Sequence, residues 1–224
     1  MAVVWVVNVD AVNIKPYAAA MPNKPLNAAS DTYHHGDLRN ALLAAAETLL
    51  QSHGPNGLSL REVARVAGVS HTAPYRHFSN KSALLQALAQ RGFERLHAAM
   101  SAAAASVPHG PEQQLIATSV AYVSFVVSHA EITQLMFGGH IVPERGGTEE
   151  DAYVVLLAII ESGIAAGVFR ARAAVELAQV AWSTIHGLAM LITANRLDVD
   201  VSDPAALAER VSTVAGNVIY GLSR

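Results

Sequence analysis

The sequence predicts an all-α chain, and three observations carry that reading. Alanine, which loses no side-chain entropy in a helix, recurs throughout. From Asp37 onward apolar residues return at three- and four-residue steps. No two stretches alternate apolar and polar residues as paired strands do. The elements divide into a tail over 1–30, a three-helix head over 31–80 and a helical body over 81–224.

The tail lacks periodicity. Val3 to Val9 is apolar, but no cation precedes it and Asp10 follows, which makes a poor signal peptide. Pro16, Pro22 and Pro25 interrupt any regular element, so a disordered tail is expected. Met21 is an alternative start. The first helix then shows one apolar face in Leu38, Leu42, Ala45, Ala46 and Leu49, and Gly54-Pro55 ends it. Ser59 and Glu62 have capping-box spacing and open a short helix to Val66. Gly68 supplies a corner, Ser70 caps a second short helix, and Ser79 or Asn80 caps a long one reaching about Ser106. Beyond Pro111, helices are expected over about 112–129, 131–138, 149–166, 174–195 and 204–222. The apolar run Tyr153 to Ile160 could pass for a buried strand. The acids Glu149, Glu150 and Asp151 at its start and the period continuing through Ile164 favour a helix.

Composition excludes several functions. There is no cysteine, hence no disulfide, thiolate metal site or thiol nucleophile. The histidines have no acidic partner at ligand spacing, so no metal and no cofactor are expected. No phosphate loop, Ser-His-acid pattern or paired catalytic carboxylates point to an enzyme. Gln113 to Ala130 and Leu177 to Asn195 carry no charge, but their hydroxyl, amide and imidazole groups read as buried helices rather than membrane spans. Glu47, Glu94 and Asp37 read as solvated helix-face charges. A cytoplasmic protein is expected.

The net charge of −3 hides an uneven distribution. Ser59 to Lys81 holds four cations, Arg61, Arg65, Arg76 and Lys81, against the single acid Glu62, so this segment is +3 and the remainder −6. A basic patch on an acidic body suits a protein that meets phosphate with one face. The same segment reads as a helix-turn-helix. Ala64 is the small residue at the crossing, Gly68 the corner, and Val63, Val66 and Val69 the apolar pins. The second helix would project His71, Thr72, Tyr75 and Arg76 outward, where a recognition helix meets bases and phosphates.

These residues resemble the TetR family of one-component regulators. The match runs through Gly57-Leu58-Ser59-Leu60-Arg61, Ala67-Gly68-Val69-Ser70, Tyr75-Arg76-His77-Phe78, Lys81 and Leu84-Leu85, with the lead-in His34-His35-Gly36-Asp37-Leu38-Arg39. Downstream, Met136-Phe137-Gly138 and Trp182 with His186-Gly187 are similar to a Trp-His-Gly subgroup of the family's C-terminal domains. The resemblance implies that Ser59 and Lys81 meet phosphates and that Tyr75 and His77 contact the DNA backbone. Ser70 belongs to the same surface, and His71, Thr72 and Arg76 are left for bases or adjacent phosphates, Arg76 having the best geometry for guanine. Pro74 departs from the family pattern, which usually has an apolar helix former there, and leaves the pose of the recognition helix open.

In the last helix Leu207, Val211, Val214, Val218 and Leu222 form a seam at helical steps. With helix 174–195 it would form a four-helix dimer interface, as in the TetR family, or pack within its own chain. Tyr122, Phe125, Met136, Phe137, Trp182, His186 and Met190 are candidates to line an apolar pocket, with ordinary core as the plain alternative. Trp182 and His186 share a helix face. The expected function is a homodimeric repressor on an inverted-repeat operator in duplex DNA, released by a small apolar effector. The alternative is a helical protein-interaction module in which the helix-turn-helix is only structural.

Overall fold

A computed structural model describes residues 35–107, 110–138 and 149–223, with side chains described from Leu38 and, past the second break, from Ala152. The expected tail over 1–30 lies outside the described residues. Among the described residues eight α-helices follow in order: α1 His35–Gly57, α2 Leu60–Val66, α3 Lys81–Ser106, α4 Gly110–Ser128, α5 Ala130–Phe137, α6 Glu149–Ala165, α7 Ala174–Thr193 and α8 Pro204–Leu222. A 3-10 turn, Ala73–Arg76, stands between α2 and α3. The run from Tyr153 to Ile160 is helical, and no strand forms among the described residues beyond a lone bridge between Phe169 and Ser223.

Two packing units share α3. In the head, Leu42, Ala46, Leu49 and Leu50 of α1 are buried together with Val63 of α2, Leu84 of α3 and Phe78 from the segment before α3. Gly54 has φ +65°, so α1 bends there before Pro55, as the Gly-Pro pair predicts. Asn80, rather than Ser79, caps α3, its Oδ1 accepting from the Ala83 amide at 2.9 Å. In the body α4 is central: α3, α6, α7 and α8 all pack on it, and a helix that carries no charge beyond Glu112 of its first turn is apolar enough to bury on several sides. Helix α7 has the length and apolarity of a membrane span. One face of it, Leu177, Ala181, Ile185, Leu188 and Ile192, packs inside the helical body, while Val180 and Leu191 stay exposed. Helices α4 and α5 are apolar together but bend by 104° between them.

Two glycines set helix contacts. A Cβ on Gly92 of α3 would lie 2.6 Å from Met136 Sδ and 2.8 Å from Ile132 Cγ2, so α5 rests in a notch that only glycine opens. A Cβ on Gly163 of α6 would collide with the ring of Phe169, which is fully buried. The Gly163 carbonyl also accepts the amides of Val168 and Phe169 at 2.9 and 3.0 Å, closing the end of α6 over that ring. Gly163→Ala should therefore cost about 1–3 kcal/mol through overpacking, read as a lower midpoint in chemical denaturation. An unchanged midpoint would mean that the Phe169 ring can move aside freely.

Candidate nucleic-acid interface and effector cavity

The basic segment folds at the surface, with most of its polar side chains exposed. Ser59 caps α2, accepting from the Glu62 amide at 3.2 Å. The reciprocal half of the capping box is replaced: the Glu62 carboxylate turns to Arg65, whose Nε and Nη2 donate at 2.9 and 2.6 Å. Hydrogen bonding to Arg65 holds the Glu62 carboxyl below its ordinary range. Gly68 has φ +69°, the left-handed corner the motif needs. Val63 is buried and Val69 half-buried, but Val66 is exposed and so pins nothing.

The expected second helix is instead a single 3-10 turn. Pro74 has no amide to return to Ser70, so the turn closes through the Ala73 amide on the Ser70 carbonyl at 3.0 Å. Ser70 caps nothing with its side chain; its Oγ lies 3.2 Å from Thr72 Oγ1. Pro74 is buried, and this fixes the turn against α2. The turn still presents what the sequence placed there. Ser70, His71, Thr72, Tyr75 and Arg76 are exposed, Tyr75 by 57%, and His77 is half-buried. Lys81 donates to the Asn56 carbonyl at 3.2 Å, which holds its ammonium at the same face and leaves two N–H groups for an anion. Behind the face, Phe78 is core, with the Arg39 guanidinium 5.6 Å above its ring.

The body encloses a cavity of about 40 Å³. Phe93, Leu96 and Met100 of α3 form one wall and Tyr122 of α4 another, with Thr118 and Ser119 beside it. Phe137 ends α5 at the rim, Tyr153 and Leu156 come from α6, and Trp182 and Ile185 from α7. Three of the seven sequence candidates, Tyr122, Phe137 and Trp182, line it. His186 stands behind them, its Nδ1 2.7 Å from the Tyr122 hydroxyl and its ring edge-on to Phe137 at 4.9 Å. Burial pushes the Tyr122 hydroxyl up to about 12, against the opposing pull of a hydrogen bond from Trp182, and pushes His186 down, so both are neutral near pH 7. The other three candidates lie elsewhere. Phe125 is buried against His129, with rings stacked at 4.5 Å. Met136 fills the Gly92 notch. Met190 is half-buried core away from the cavity. Sequence reasoning missed Thr118 and Ser119, whose signal was two adjacent hydroxyls inside an otherwise apolar helix.

Two further placements depart from expectation. The α8 seam faces inward: Leu207, Val211, Val218 and Leu222 are buried within the single chain and Val214 is half-buried, so a second copy would not cover them. Glu47 of α1, which the sequence presents as a solvated helix-face charge, is mostly buried beneath α3. Its Oε2 accepts from Arg95 Nη2 at 3.1 Å, and its Oε1 lies 3.7 Å from Arg91 Nε.

Comparison with known proteins accords with this geometry. Residues 42–88 match the family model for bacterial regulatory proteins of the tetR family, and residues 115–214 match the tetracyclin repressor-like C-terminal domain. No curated protein sequence matches the chain. Among solved structures, a protein of unknown function from Rhodococcus sp. RHA1 is 38% identical, with a TM-score of 0.75 over 87% of this chain and 100% of that one. A regulatory protein of the tetR family from Rhodococcus RHA1 is 24% identical, with a TM-score of 0.64 over 81% of this chain and 96% of that one. The fatty acid degradation regulator FadR from Bacillus halodurans shares the fold at 16% identity, with a TM-score of 0.64 over 85% of this chain and 100% of that one. The chain, with its exposed basic head and its helical body, belongs to the TetR family of bacterial transcriptional regulators.

Proposed function

We propose that this regulator is a cytoplasmic homodimeric repressor that binds an inverted-repeat operator and leaves it when a small apolar effector enters the body. The exposed face from Ser59 to Lys81 is the observation that carries the DNA half of this reading. Tyr75, His77, Ser59 and Lys81 grip phosphates, and His71, Thr72 and Arg76 reach bases or adjacent phosphates. Ser70 supports the turn that presents them. The head spans about residues 31–80 and the body the rest; the chain acts by binding rather than catalysis. Trp182 and His186-Gly187, meeting Phe137 at the cavity, support the Trp-His-Gly subgroup.

The dimer face is the outer surface of α7 and α8. Val180, Thr184, Gly187 and Leu191 on α7, and Glu209, Thr213, Gly216 and Tyr220 on α8, repeat the same steps of four, three and four residues. Val180, Leu191 and Tyr220 are 53%, 46% and 81% exposed, unusual for residues of their size. Gly187 and Gly216 face open space, so nothing within the chain offsets the roughly 1 kcal/mol a mid-helix glycine costs. A second copy approaching closely at both glycines does. Two recognition turns in one dimer would then meet successive major grooves about 34–36 Å apart.

At about 40 Å³ the cavity exceeds the ~10–15 Å³ a water needs but falls far short of the ~300–1,000 Å³ of ligand pockets. An effector must therefore displace a wall. Phe93, Leu96 and Met100 belong to the helix that also carries Lys81, so a displaced wall shifts the head.

Operator binding measured against salt checks the DNA half. Lys81→Ala should weaken binding to all sequences and reduce the logarithmic salt slope by about 1. Arg76→Ala should cost about 1–3 kcal/mol on operator if it is bidentate to guanine, with relaxed preference at one position. Unchanged affinity in both variants overturns the interface. Sedimentation checks the dimer. Leu191→Asp and Tyr220→Asp should give folded monomers, whereas Val218→Asp should unfold the chain by burying an unpaired charge. Folded dimers in both surface variants overturn the proposed face.

A further inference from the structure

The cavity's hydrogen-bonding capacity is one-sided. Among the described residues four hydroxyls line it, on Thr118, Ser119, Tyr122 and Tyr153. Their protons already face partners within the protein, most closely on α4. Thr118 donates to the Gln114 carbonyl at 2.8 Å and Ser119 to the Leu115 carbonyl at 2.7 Å. Tyr153 donates to the Val175 carbonyl at 3.4 Å. Tyr122 pairs with His186 Nδ1 at 2.7 Å. The phenol donates to Nδ1 in the tautomer that carries the imidazole proton on Nε2, and in that tautomer the Tyr122 hydroxyl has only lone pairs to offer a guest. The indole N–H of Trp182 is the other side-chain donor of the wall among the described residues, and its hydrogen-bonding pull on the Tyr122 hydroxyl opposes the effect of burial. The lone pairs left over can only accept. No Asp, Glu, Lys or Arg stands among the described residues that line the cavity, so a charged guest would go unpaired.

We propose that the effector is a neutral, largely apolar molecule bearing a hydroxyl or N–H donor, and that the cavity selects it over the same skeleton bearing only an acceptor. This rests on the proposed effector site and adds the chemistry that it reads. A guest that offers a donor meets a free lone pair and disturbs no existing bond. A guest that offers only an acceptor must either go unsatisfied or turn a hydroxyl away from its present partner, and an unmet buried group is the costlier outcome. Selection by hydrogen-bond type is also sharper than selection by size in an apolar site.

Isothermal titration of the full-length protein with two pairs of near-equal volume tests this: cyclohexanol against cyclohexanone, and 4-ethylphenol against 1-ethyl-4-fluorobenzene. Each donor should bind at least about fivefold more tightly than its partner. Ser119→Ala or Tyr122→Phe, checked for an unchanged circular dichroism spectrum, should shrink that ratio at least about threefold in one of the two variants. Equal affinity within both pairs, a preference for the acceptor member, or a ratio that survives both substitutions overturns donor selection and leaves the effector site standing. Failure of all four compounds to bind overturns the site and the selection together.

Discussion

Helix α3 serves both halves of the molecule at once, and the arrangement depends on its being one unbroken helix from Lys81 to Ser106. Arg91 and Arg95 share one face and hold Glu47 of α1. Phe93, Leu96 and Met100 lie roughly opposite, against the cavity. At its N-terminus, capped by Asn80, Lys81 is held to the Asn56 carbonyl of the basic head. A helix hydrogen-bonded along its length tends to move as a rod, and this is the physical basis of the proposed coupling between cavity wall and head. The mostly buried Glu47 makes that link stiff, because separating it from both arginines would strand a charge in a poorly solvated place.

Helix α5 reinforces the constraint from the side. It packs on both α1 and α3, with Met136 and Ile132 pressed into the notch at Gly92. One residue further, Phe137 meets Phe93, Trp182 and His186 around the cavity. The pocket rim and the head are thus separated by two turns of a single short helix. Close packing of this kind favours discrete alternatives over gradual deformation, as the proposed release requires.

Much of this was legible in the sequence. Local signals carried the helices: apolar period, the Asn80 cap, Gly68 at the corner and Gly54-Pro55 at the bend. The exposed set from Ser59 to Lys81 followed from charge and motif. What failed had a physical reason in each case. Pro74 turned the recognition helix into a 3-10 turn because a missing amide changes the bonding pattern, not merely one bond. The α8 seam was read correctly as apolar, but period cannot tell a face covered by α4 from one covered by another copy. The outward signal was the weaker one, Gly187 and Gly216 with bulky neighbours. Glu47 looked solvated because Arg91 and Arg95 are distant in sequence. The cavity wall draws on four further helices besides α7, so Phe125 and Met190 could not be separated from Tyr122 by spacing alone.

If cavity and head are coupled, each ligand must change the affinity for the other by the same factor. The affinity of 4-ethylphenol for the protein should be measured by titration with and without saturating operator DNA. The affinity for operator should be measured with and without saturating 4-ethylphenol. The two ratios must be equal, and the account predicts that each ligand weakens the other by roughly 5–150-fold, the usual range for coupled sites. If 4-ethylphenol binds equally well to free and DNA-bound protein, the cavity and the head are independent and α3 transmits nothing.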